Sequence, residues 1–389
     1  MTHMTAVVLD WVAPAFLILA AAGSFYTVVA VLLLGRFAAR PLPRASRFPS
    51  ITVLKPLRGA EPGLYDNLAS FCRQDYPGPV QIVFGVRDVR DPAVPVVRRL
   101  MADLPQVDLE LVVDATEYGA NGKISNLANM ARSIRHELVV LADSDIRVDA
   151  GYLSHLAGAL EQPGVGLATC LYRGVAAEGI WSRFAASGIN HHFLPSVLVG
   201  LGIGRADPCF GATMALRHET LRRIGGFEAF ANHLADDHAI GDAVRRTGAR
   251  IAVTTMIVSH ICRERGPEEM LQQELRWALT LRFLDPAGFF GSAVTHPLPF
   301  ALLGLALAPT NAWGLGIASL ALLSRLLLQI QADRVIGAIR PTWQLGPLRD
   351  LLSFAVFIAS HFTDAVIWRG QRFRVRRDGT LIPAKDLVS

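Results

Sequence analysis

Two aspartates one residue apart, Asp143 and Asp145, directly follow the apolar run at residues 138–142. A short apolar run that ends in polar residues is typical of a buried β-strand, so both carboxylates are expected where this strand leaves the core. Such a pair forms a compact site of oxygen atoms, which Mg²⁺ and Mn²⁺ prefer and commonly share with substrate phosphates. Aspartate is also common in ordinary turns, but the position after a buried strand favours a metal site.

A second pair of acids, Asp236 and Asp237, stands at the start of a predicted helix over residues 237–247. One interpretation is helix capping, because Asp is favoured at helix N-termini and complements the helix dipole. The other interpretation is a general base, a carboxylate that takes a proton from a reacting hydroxyl. The residues alone favour neither interpretation over the other.

A third motif is the sequence QELRW at positions 273–277, shortly before a long apolar block. The guanidinium of Arg276 can pair with phosphate oxygens as a forked donor. The indole of Trp277 can stack on a substrate or anchor at a membrane interface. The alternative is an amphipathic interfacial helix in which both residues have ordinary roles.

The elements that must position these residues are visible as four β-branched runs, at residues 51–54, 80–86, 109–113 and 138–142. Amphipathic segments over residues 62–74, 93–102 and 124–135 lie between them. This alternation predicts an α/β domain with a parallel sheet and helices on both faces. Ligands bind such sheets at the carboxyl ends of the strands, where Asp88 and Asp143 lie.

Apolar segments flank this domain on both sides. Residues 11–35 carry no charge and are followed by Arg36, Arg40, Arg44 and Arg47. About 20 apolar residues span a bilayer, so a membrane anchor is predicted over residues 1–36. A cleavable signal peptide fits less well, because it needs a basic start and a shorter apolar core. Positive charge stays in the cytoplasm, which places a basic linker over residues 37–49 there.

The C-terminal third is apolar again, since residues 286–324 contain no Asp, Glu, Lys or Arg. A second, largely apolar stretch over residues 351–367 precedes a basic tail over residues 369–389. A cytosolic tail requires an even number of crossings, and two are predicted, within residues 298–330 and near 348–367. The proline-broken start would be interfacial or re-entrant. A catalytic domain over residues 50–285 therefore precedes a membrane block over residues 286–368.

Composition agrees with a membrane protein that works in a reducing compartment. Of the 389 residues, 51% are hydrophobic, the mean hydropathy is +0.34 and the formal net charge is +5. The basic residues cluster beside the apolar segments, so a membrane rather than nucleic acid is the expected partner. The four cysteines form no CxxC pair, which disfavours a zinc ribbon or a thioredoxin site.

Together these motifs resemble the family 2 glycosyltransferases, which share the nucleotide-diphospho-sugar transferase fold of the GT-A type. Asp88, the DSD run at 143–145, the acidic pair at 236–237 and QELRW at 273–277 follow that family's order. LKPLRG at 54–59, GKISNL at 122–127 and GATM at 211–214 are similar to the ceramide glucosyltransferase group and to the hopanoid-biosynthesis glycosyltransferases of bacteria. TCLYRG at 169–174, GINHHFLP at 188–195 and DPAG at 285–288 favour the hopanoid branch.

The resemblance implies how a nucleotide-sugar donor would be held. Asp88 would contact the uracil of a UDP-sugar, and Lys123 would contact the diphosphate. Asp143 and Asp145 would hold Mg²⁺ or Mn²⁺ on that diphosphate. The residues that would close over the diphosphate and line the acceptor entrance are Gln273, Arg276 and Trp277.

The resemblance also implies the acceptor side. Asp237, with Asp236 beside it, would be the catalytic base, and His191 matches a histidine of the ceramide group near the lipid acceptor. The alternative for His191 is an ordinary interfacial or helix-surface histidine.

The implied reaction is an inverting transfer of a sugar from a UDP-sugar to a membrane lipid hydroxyl. The preferred expectation is N-acetylglucosamine from UDP-GlcNAc onto a hopanoid, bacteriohopanetetrol. This preference rests partly on Asp145, where the ceramide group often has glycine. The alternative is glucose from UDP-glucose onto ceramide. A processive polysaccharide synthase and a nonenzymatic binding protein are further alternatives.

The expected location is the bacterial inner membrane, in a multi-pass protein whose catalytic domain is cytosolic. The oligomeric state is not predicted.

Overall fold

The structure of the protein, a computed structural model, describes residues 2–338, 341–363, 365–368, 371–375 and 381–383, with side chains for 11–338 and 341–363. The strands are β1 (Ile51–Pro56), β2 (Val80–Val86), β3 (Asp108–Val113), β4 (Leu138–Leu141), β5 (Ile146–Arg147), β6 (Val165–Ala176), β7 (Met214–Arg217), β8 (Arg250–Cys262), β9 (Ala365–Trp368), β10 (Gln371–Val375) and β11 (Leu381–Pro383). The α-helices are α1 (Thr2–Ala38), α2 (Leu64–Cys72), α3 (Ala93–Asp103), α4 (Gly122–Met130), α5 (Tyr152–Leu160), α6 (Gly179–Gly188), α7 (Leu194–Gly202), α8 (His218–Arg223), α9 (Asp236–Arg246), α10 (Pro267–Leu284), α11 (Pro286–Gly291), α12 (Pro297–Leu307), α13 (Ala312–Val335) and α14 (Gly346–Ser360). Shorter helical turns are Ala131–Ser133, Ile189–Phe193, Glu228–Phe230, Ser292–Thr295 and Trp343–Leu345.

The chain divides into two compact units. The sheet unit takes the described residues within Arg40–Ala177, Asp207–Arg263 and Phe373–Ser389. The helical unit takes those within Met1–Ala39, Glu178–Ala206 and Glu264–Arg372. The predicted catalytic domain over residues 50–285 thus includes two segments of the helical unit. One reason is that the apolar helix α7 packs on α1, where the Leu33 side chain approaches within 2.8 Å of the Cβ position of Gly202.

The main sheet has the strand order β3-β2-β1-β4-β7-β6-β8-β5. The four predicted strands, β1 to β4, pair in parallel as expected. The second half differs, because β7 is antiparallel to both β4 and β6, and β5 is antiparallel to β8. The sequence pattern did not reveal β7, since a run of four residues is too short for its periodicity to identify a strand.

The sheet carries a core on each face, because successive side chains of a strand point to opposite sides. Val53 of β1 belongs to the core that packs against α2, α3 and α5. Leu54 belongs to the core that packs against α4 and α9. Leu54 also pairs in register with Val83 of β2 and Leu141 of β4, so the carboxyl ends of these strands reach the same edge.

Residues that were predicted as a linker are fastened to the sheet unit. The carboxylate of Glu161 accepts hydrogen bonds from the Ser46 backbone N–H at 2.9 Å and the Arg47 N–H at 2.7 Å. The Cβ position of Gly158 lies only 2.6 Å from the Arg44 carbonyl carbon. The segment after the N-terminal helix therefore follows a defined path over α5.

Two described helices are long and apolar enough to cross a bilayer, Trp11–Ala38 and Ala312–Val335. They support the predicted N-terminal anchor and one C-terminal crossing, and they identify the chain as a membrane protein. The segments Pro286–Thr295 and Pro297–Leu307 form a pair bent by 65°, either a broken span or a re-entrant loop. The stretch predicted as a crossing near residues 348–367 contains α14 and β9. With 15 residues, α14 rises about 22 Å, less than the roughly 30 Å of a bilayer core.

Arg325 is a charged residue within the candidate span α13, and its charge is paired. Its Nε donates to Asp350 Oδ2 at 2.8 Å, and its Nη2 donates to Asp350 Oδ1 at 2.6 Å. His192 Nε2 lies 2.8 Å from the same Asp350 Oδ1. Burial of a charge in an apolar environment requires such a partner.

Candidate active site

Four charged residues of the sheet unit meet at the carboxyl edge of the sheet, and we call Lys123, Asp143, Asp236 and Asp237 the Lys123 cluster. Lys123 Nζ lies 2.8 Å from Asp143 Oδ1 and 3.1 Å from Asp236 Oδ2. The Cβ position of Gly211 lies 3.3 Å from Lys123 Nζ, 3.4 Å from Asp143 Oδ2 and 3.5 Å from Asp237 Oδ2. Three charged groups that are distant in sequence therefore surround a single point beside Gly211.

Local structure explains how these residues reach the edge. The side chain of Asn121 caps α4 by accepting from the backbone N–H groups of Lys123 and Ile124 at 3.0 and 3.2 Å. This cap fixes Lys123 in the first turn of the helix. Asp143 lies two residues beyond Leu141, the last residue of β4, close to where the sequence predicted it.

Capping does not explain the pair Asp236 and Asp237, because the N-cap of α9 is Ala235, which has no side-chain acceptor. Asp236 faces Lys123 instead. The carboxylate of Asp237 accepts from the Gly211 N–H at 2.9 Å and from the His238 N–H at 2.8 Å. The structure thus favours a role for this pair in the Lys123 cluster.

The environment adjusts the protonation of Asp237 and Lys123. Burial, followed by the charge of Asp236, raises the pKa of Asp237 to about 6, while Lys123 and the two backbone N–H groups oppose that rise. Burial lowers the pKa of Lys123, but the charges of Asp143 and Asp236 more than offset this and hold it above its usual range. At neutral pH the cluster therefore contains a lysine cation and a carboxylate that can accept a proton.

Asp145 has an oxygen atom that suits a cation. Its Oδ1 is buried and accepts no hydrogen bond from any residue that the structure describes. His260 Nδ1 lies 3.6 Å from this oxygen, within ion-pair range but beyond hydrogen-bonding distance. Asp143 and Asp145 together offer the oxygen ligands that Mg²⁺ and Mn²⁺ prefer.

A cation on Asp143 and Asp145 would need further ligands. Across the described ranges of the chain, no group of three or more His, Cys, Asp or Glu side chains is arranged to hold a metal ion. Mg²⁺ is commonly held by one or two carboxylates together with substrate phosphates and water. The residues present fit a cation of that kind, shared with a bound diphosphate.

Three residues without an assigned role also lie at this site. Lys55 of β1 is fully buried, and its Nζ donates to the backbone carbonyl of Asp143. Burial raises the pKa of Tyr172 of β6, and the charges of Asp237 and Asp145 raise it further. The Tyr172 ring lies 5.8 Å from the His260 ring, which faces Asp145. Lys55 and Tyr172 lie within the LKPLRG and TCLYRG motifs, which carry the family resemblance without giving either residue a role, and a lysine in an apolar strand is itself unusual.

Asp88, the predicted uracil contact, lies just beyond β2 and pairs with Arg90. Its Oδ1 accepts from the Arg90 backbone N–H at 2.9 Å, and its Oδ2 accepts from Arg90 Nη2 at 2.8 Å. These hydrogen bonds lower the pKa of Asp88. Its side chain is 49% exposed and so accessible to a ligand.

The QELRW motif lies on α10 of the helical unit. The Arg276 guanidinium lies 6.0 Å from the centroid of the Trp277 ring. Glu274 within the motif forms a two-point ion pair with Arg349, with both N–O distances 2.7 Å. The predicted contacts of Gln273, Arg276 and Trp277 with the diphosphate stay a prediction.

His191, the predicted acceptor-side residue, is fully buried in the helical unit. Its Nδ1 lies 3.0 Å from Ser187 Oγ, and its Nε2 lies 2.9 Å from Asp333 Oδ1. An acceptor contact through the imidazole would require the ring to leave these partners, and this role also stays a prediction.

Comparisons with known proteins bear on the whole chain. The family model described as Glycosyl transferase family 21 matches residues 15–381. Ceramide glucosyltransferase 3 of Caenorhabditis elegans is 23% identical over 359 residues, covering 87% of this chain and 76% of that protein. The ceramide glucosyltransferase of Gibberella zeae is 32% identical over 155 residues, which cover 36% of this chain but only 29% of that protein.

Solved structures show the same fold. The chain is similar to a mannosyltransferase, PcManGT from Pyrobaculum calidifontis, solved in complex with GDP-Man and Mn2+. The TM-score is 0.51 at 21% sequence identity, and the match covers 90% of this chain and 98% of that one. This likeness supports the predicted GT-A type of fold.

Proposed function

The chain belongs to glycosyl transferase family 21, and we propose that it transfers a sugar from a UDP-sugar to a membrane lipid hydroxyl with inversion of the anomeric carbon. It is thus a glycosyltransferase, as its resemblance to family 2 enzymes predicted. The proposed site rests on one observation. Side-chain atoms of Lys123, Asp143 and Asp237 all lie within 3.5 Å of the Cβ position of Gly211. A base, a cation and a cation-binding carboxylate are the groups that such a transfer needs at one place.

We favour transfer of glucose from UDP-glucose to ceramide over the transfer of N-acetylglucosamine to a hopanoid that the sequence favoured. The relatives named as ceramide glucosyltransferases support this choice, and neither of them points to a hopanoid. The hopanoid stays a second candidate, because Asp145 provides a buried oxygen without a hydrogen-bond donor. The ceramide glucosyltransferase group often has glycine at this position, so Asp145 distinguishes this chain from that pattern.

The proposed reaction is a single displacement. Asp237 takes the proton of the acceptor hydroxyl while the hydroxyl oxygen bonds to the anomeric carbon, and the bond from that carbon to the diphosphate oxygen breaks. Lys123 places positive charge at the edge where the diphosphate gains negative charge, an effect that is usually large in such sites. A Mg²⁺ or Mn²⁺ ion bound by Asp143 and Asp145 would add positive charge there.

We further propose that the protein is a multi-pass protein of a bacterial inner membrane with a cytosolic sheet unit. Arg36 lies in the last turn of the first candidate span, and Arg40, Arg44 and Arg47 follow it; all four are exposed. Positive charge next to a span is retained in the cytoplasm. A lipid acceptor agrees with such a membrane location.

The substrate proposal is tested with purified protein and a panel of UDP-sugars, each offered with ceramide and with bacteriohopanetetrol. We expect one chloroform-soluble product, glucosylceramide, identified by mass spectrometry. A product formed only from UDP-GlcNAc and bacteriohopanetetrol would select the second candidate. A polymer would indicate a polysaccharide synthase, and a lack of transfer with any pair would contradict the proposed function.

The pKa of Asp237 predicts an acidic limb in the pH profile. Because only the ionised carboxylate can take a proton, kcat/KM should fall tenfold per pH unit below about pH 6 and level off above it. Asp236→Asn removes the like charge that raises this pKa, so the limb should move to lower pH. A limb that stays in place in Asp236→Asn would show that another group titrates.

Gly211→Ala is expected to lower kcat/KM at least about tenfold, because a methyl group would occupy the point where three charged groups converge. The added methyl group should displace these side chains by only a few tenths of an ångström, so the melting temperature of Gly211→Ala should stay nearly unchanged. The matched control is Gly291→Ala, where a Cβ would meet open space. Equal kcat/KM for Gly211→Ala and wild type would show that this point is not where substrate binds.

A further inference from the structure

The turn that carries Asp143 and Asp145 is held by its backbone. Asp143 O accepts from Lys55 Nζ, Ser144 O accepts from Asn67 Nδ2 at 3.3 Å, and Asp145 O accepts from the Ile261 N–H at 2.9 Å. The three donors come from β1, α2 and β8. Each carbonyl of the turn therefore has a donor from a different element of the sheet unit.

Two of these donors are side chains that are fully buried, Lys55 and Asn67. A buried amine needs compensating partners, because its transfer from water is unfavourable. Lys55 has two, the Asp143 carbonyl and the Phe71 ring, whose centroid lies 3.8 Å from Nζ. A methionine would fill the same space without the polar group, so packing alone does not explain a lysine here.

The orientation of the Asn67 amide is fixed by its second contact. Arg147 Nε donates to Asn67 Oδ1 at 3.2 Å, so the NH₂ group of the amide faces Ser144. Arg147 has no acceptor in its side chain, which excludes the opposite orientation. Asn67 is therefore a donor to the turn.

We propose that Lys55 and Asn67 are positioning residues that lock the backbone of the 143–145 turn, so that its two carboxylates are held in place for the donor-side cation. This inference rests on the proposed function, since it concerns how the proposed cation site is held. Because each backbone carbonyl of the turn already accepts a hydrogen bond, the carboxylate oxygens are the groups that the turn presents to a cation. The role of Lys55 does not depend on its charge, because the neutral amine also has N–H groups to donate.

The test compares Lys55→Met with Thr52→Val in the full-length chain. Thr52 lies on the same strand, is also fully buried and donates to Gln81 Oε1 at 2.9 Å, away from the turn. Binding of Mn²⁺ in the presence of UDP is followed by the electron paramagnetic resonance signal of free Mn²⁺, and stability is followed by thermal melting. Loss of groups that orient metal ligands typically weakens metal binding 10–100-fold.

We expect Lys55→Met to weaken Mn²⁺ binding at least about tenfold with a melting temperature no lower than that of Thr52→Val. Thr52→Val should bind Mn²⁺ as wild type does. Wild-type or tighter Mn²⁺ binding by Lys55→Met would overturn the inference, and tighter binding would show that the charge of Lys55 opposes the cation. Should Lys55→Met fail to fold, Asn67→Leu, which removes the second side-chain donor, carries the same expectations. A wild-type chain that binds neither Mn²⁺ nor UDP would instead refute the proposed function.

Discussion

Replacing Asp237 with asparagine is expected to lower kcat at least about 10²-fold while the fold is retained. The amide keeps one oxygen to accept from the Gly211 or His238 N–H groups, so the start of α9 should remain in place. It cannot take a proton from the acceptor hydroxyl. The measurement is kcat with the UDP-sugar and lipid pair that gives product, together with circular dichroism and thermal melting.

The matched control for Asp237→Asn is Asp242→Asn on the same helix. Asp242 pairs with Arg246 at 2.6 Å on the surface of α9, and such exposed pairs contribute little to stability. Its replacement should leave kcat unchanged. Wild-type turnover in Asp237→Asn would refute the assignment of the base and leave the fold and family of the chain intact.

Much of the sheet unit could be predicted because its first half obeys simple patterns. β1 to β4 are apolar and β-branched, and their spacing allows a helix between successive strands, so parallel pairing follows. The acids that follow β2 and β4 could then be placed at one edge without coordinates. The four ordered motifs added the family resemblance, which the family model confirms.

The second half could not be predicted because its elements are irregular. β7 has four residues and runs antiparallel between β4 and β6. The segment over residues 178–206 belongs to the helical unit although it interrupts the sheet unit in sequence. No local sequence pattern indicates that this segment belongs to the helical unit, because its placement depends on apolar packing between α7 and the distant helix α1.

The candidate site shows the same division between local and long-range information. Asp143 and Asp237 could be proposed from their motifs. Gly211 stood out only as part of the GATM motif, and its place beside both acids could not be predicted, since a glycine has no side chain to indicate a role. Lys123 was assigned a diphosphate contact by resemblance alone. Its ion pairs with Asp143 and Asp236 now provide a physical reason for its place in the cluster.

Asp143→Asn is expected to lower kcat at least about 10²-fold, because a bound cation stabilises the transition state by several kcal/mol and tenfold in rate corresponds to about 1.4 kcal/mol. The Mn²⁺ concentration for half-maximal activity should also rise at least about tenfold. The fold should survive, since Lys123 keeps its contact with Asp236 at 3.1 Å. The measurement is turnover as a function of Mn²⁺ and of Mg²⁺, with Mn²⁺ binding in the presence of UDP.

Asp149→Asn is the control for Asp143→Asn, because its exposed carboxylate follows the same turn without belonging to the site. It should retain both the wild-type kcat and the wild-type Mn²⁺ dependence. Loss of activity in Asp143→Asn with unchanged Mn²⁺ binding would assign Asp143 to the Lys123 ion pair rather than to the cation. Asp143 contacts Lys123 through Oδ1 and reaches the point beside Gly211 through Oδ2, so Mn²⁺ binding measured beside turnover separates a role in the ion pair from a role in holding the cation.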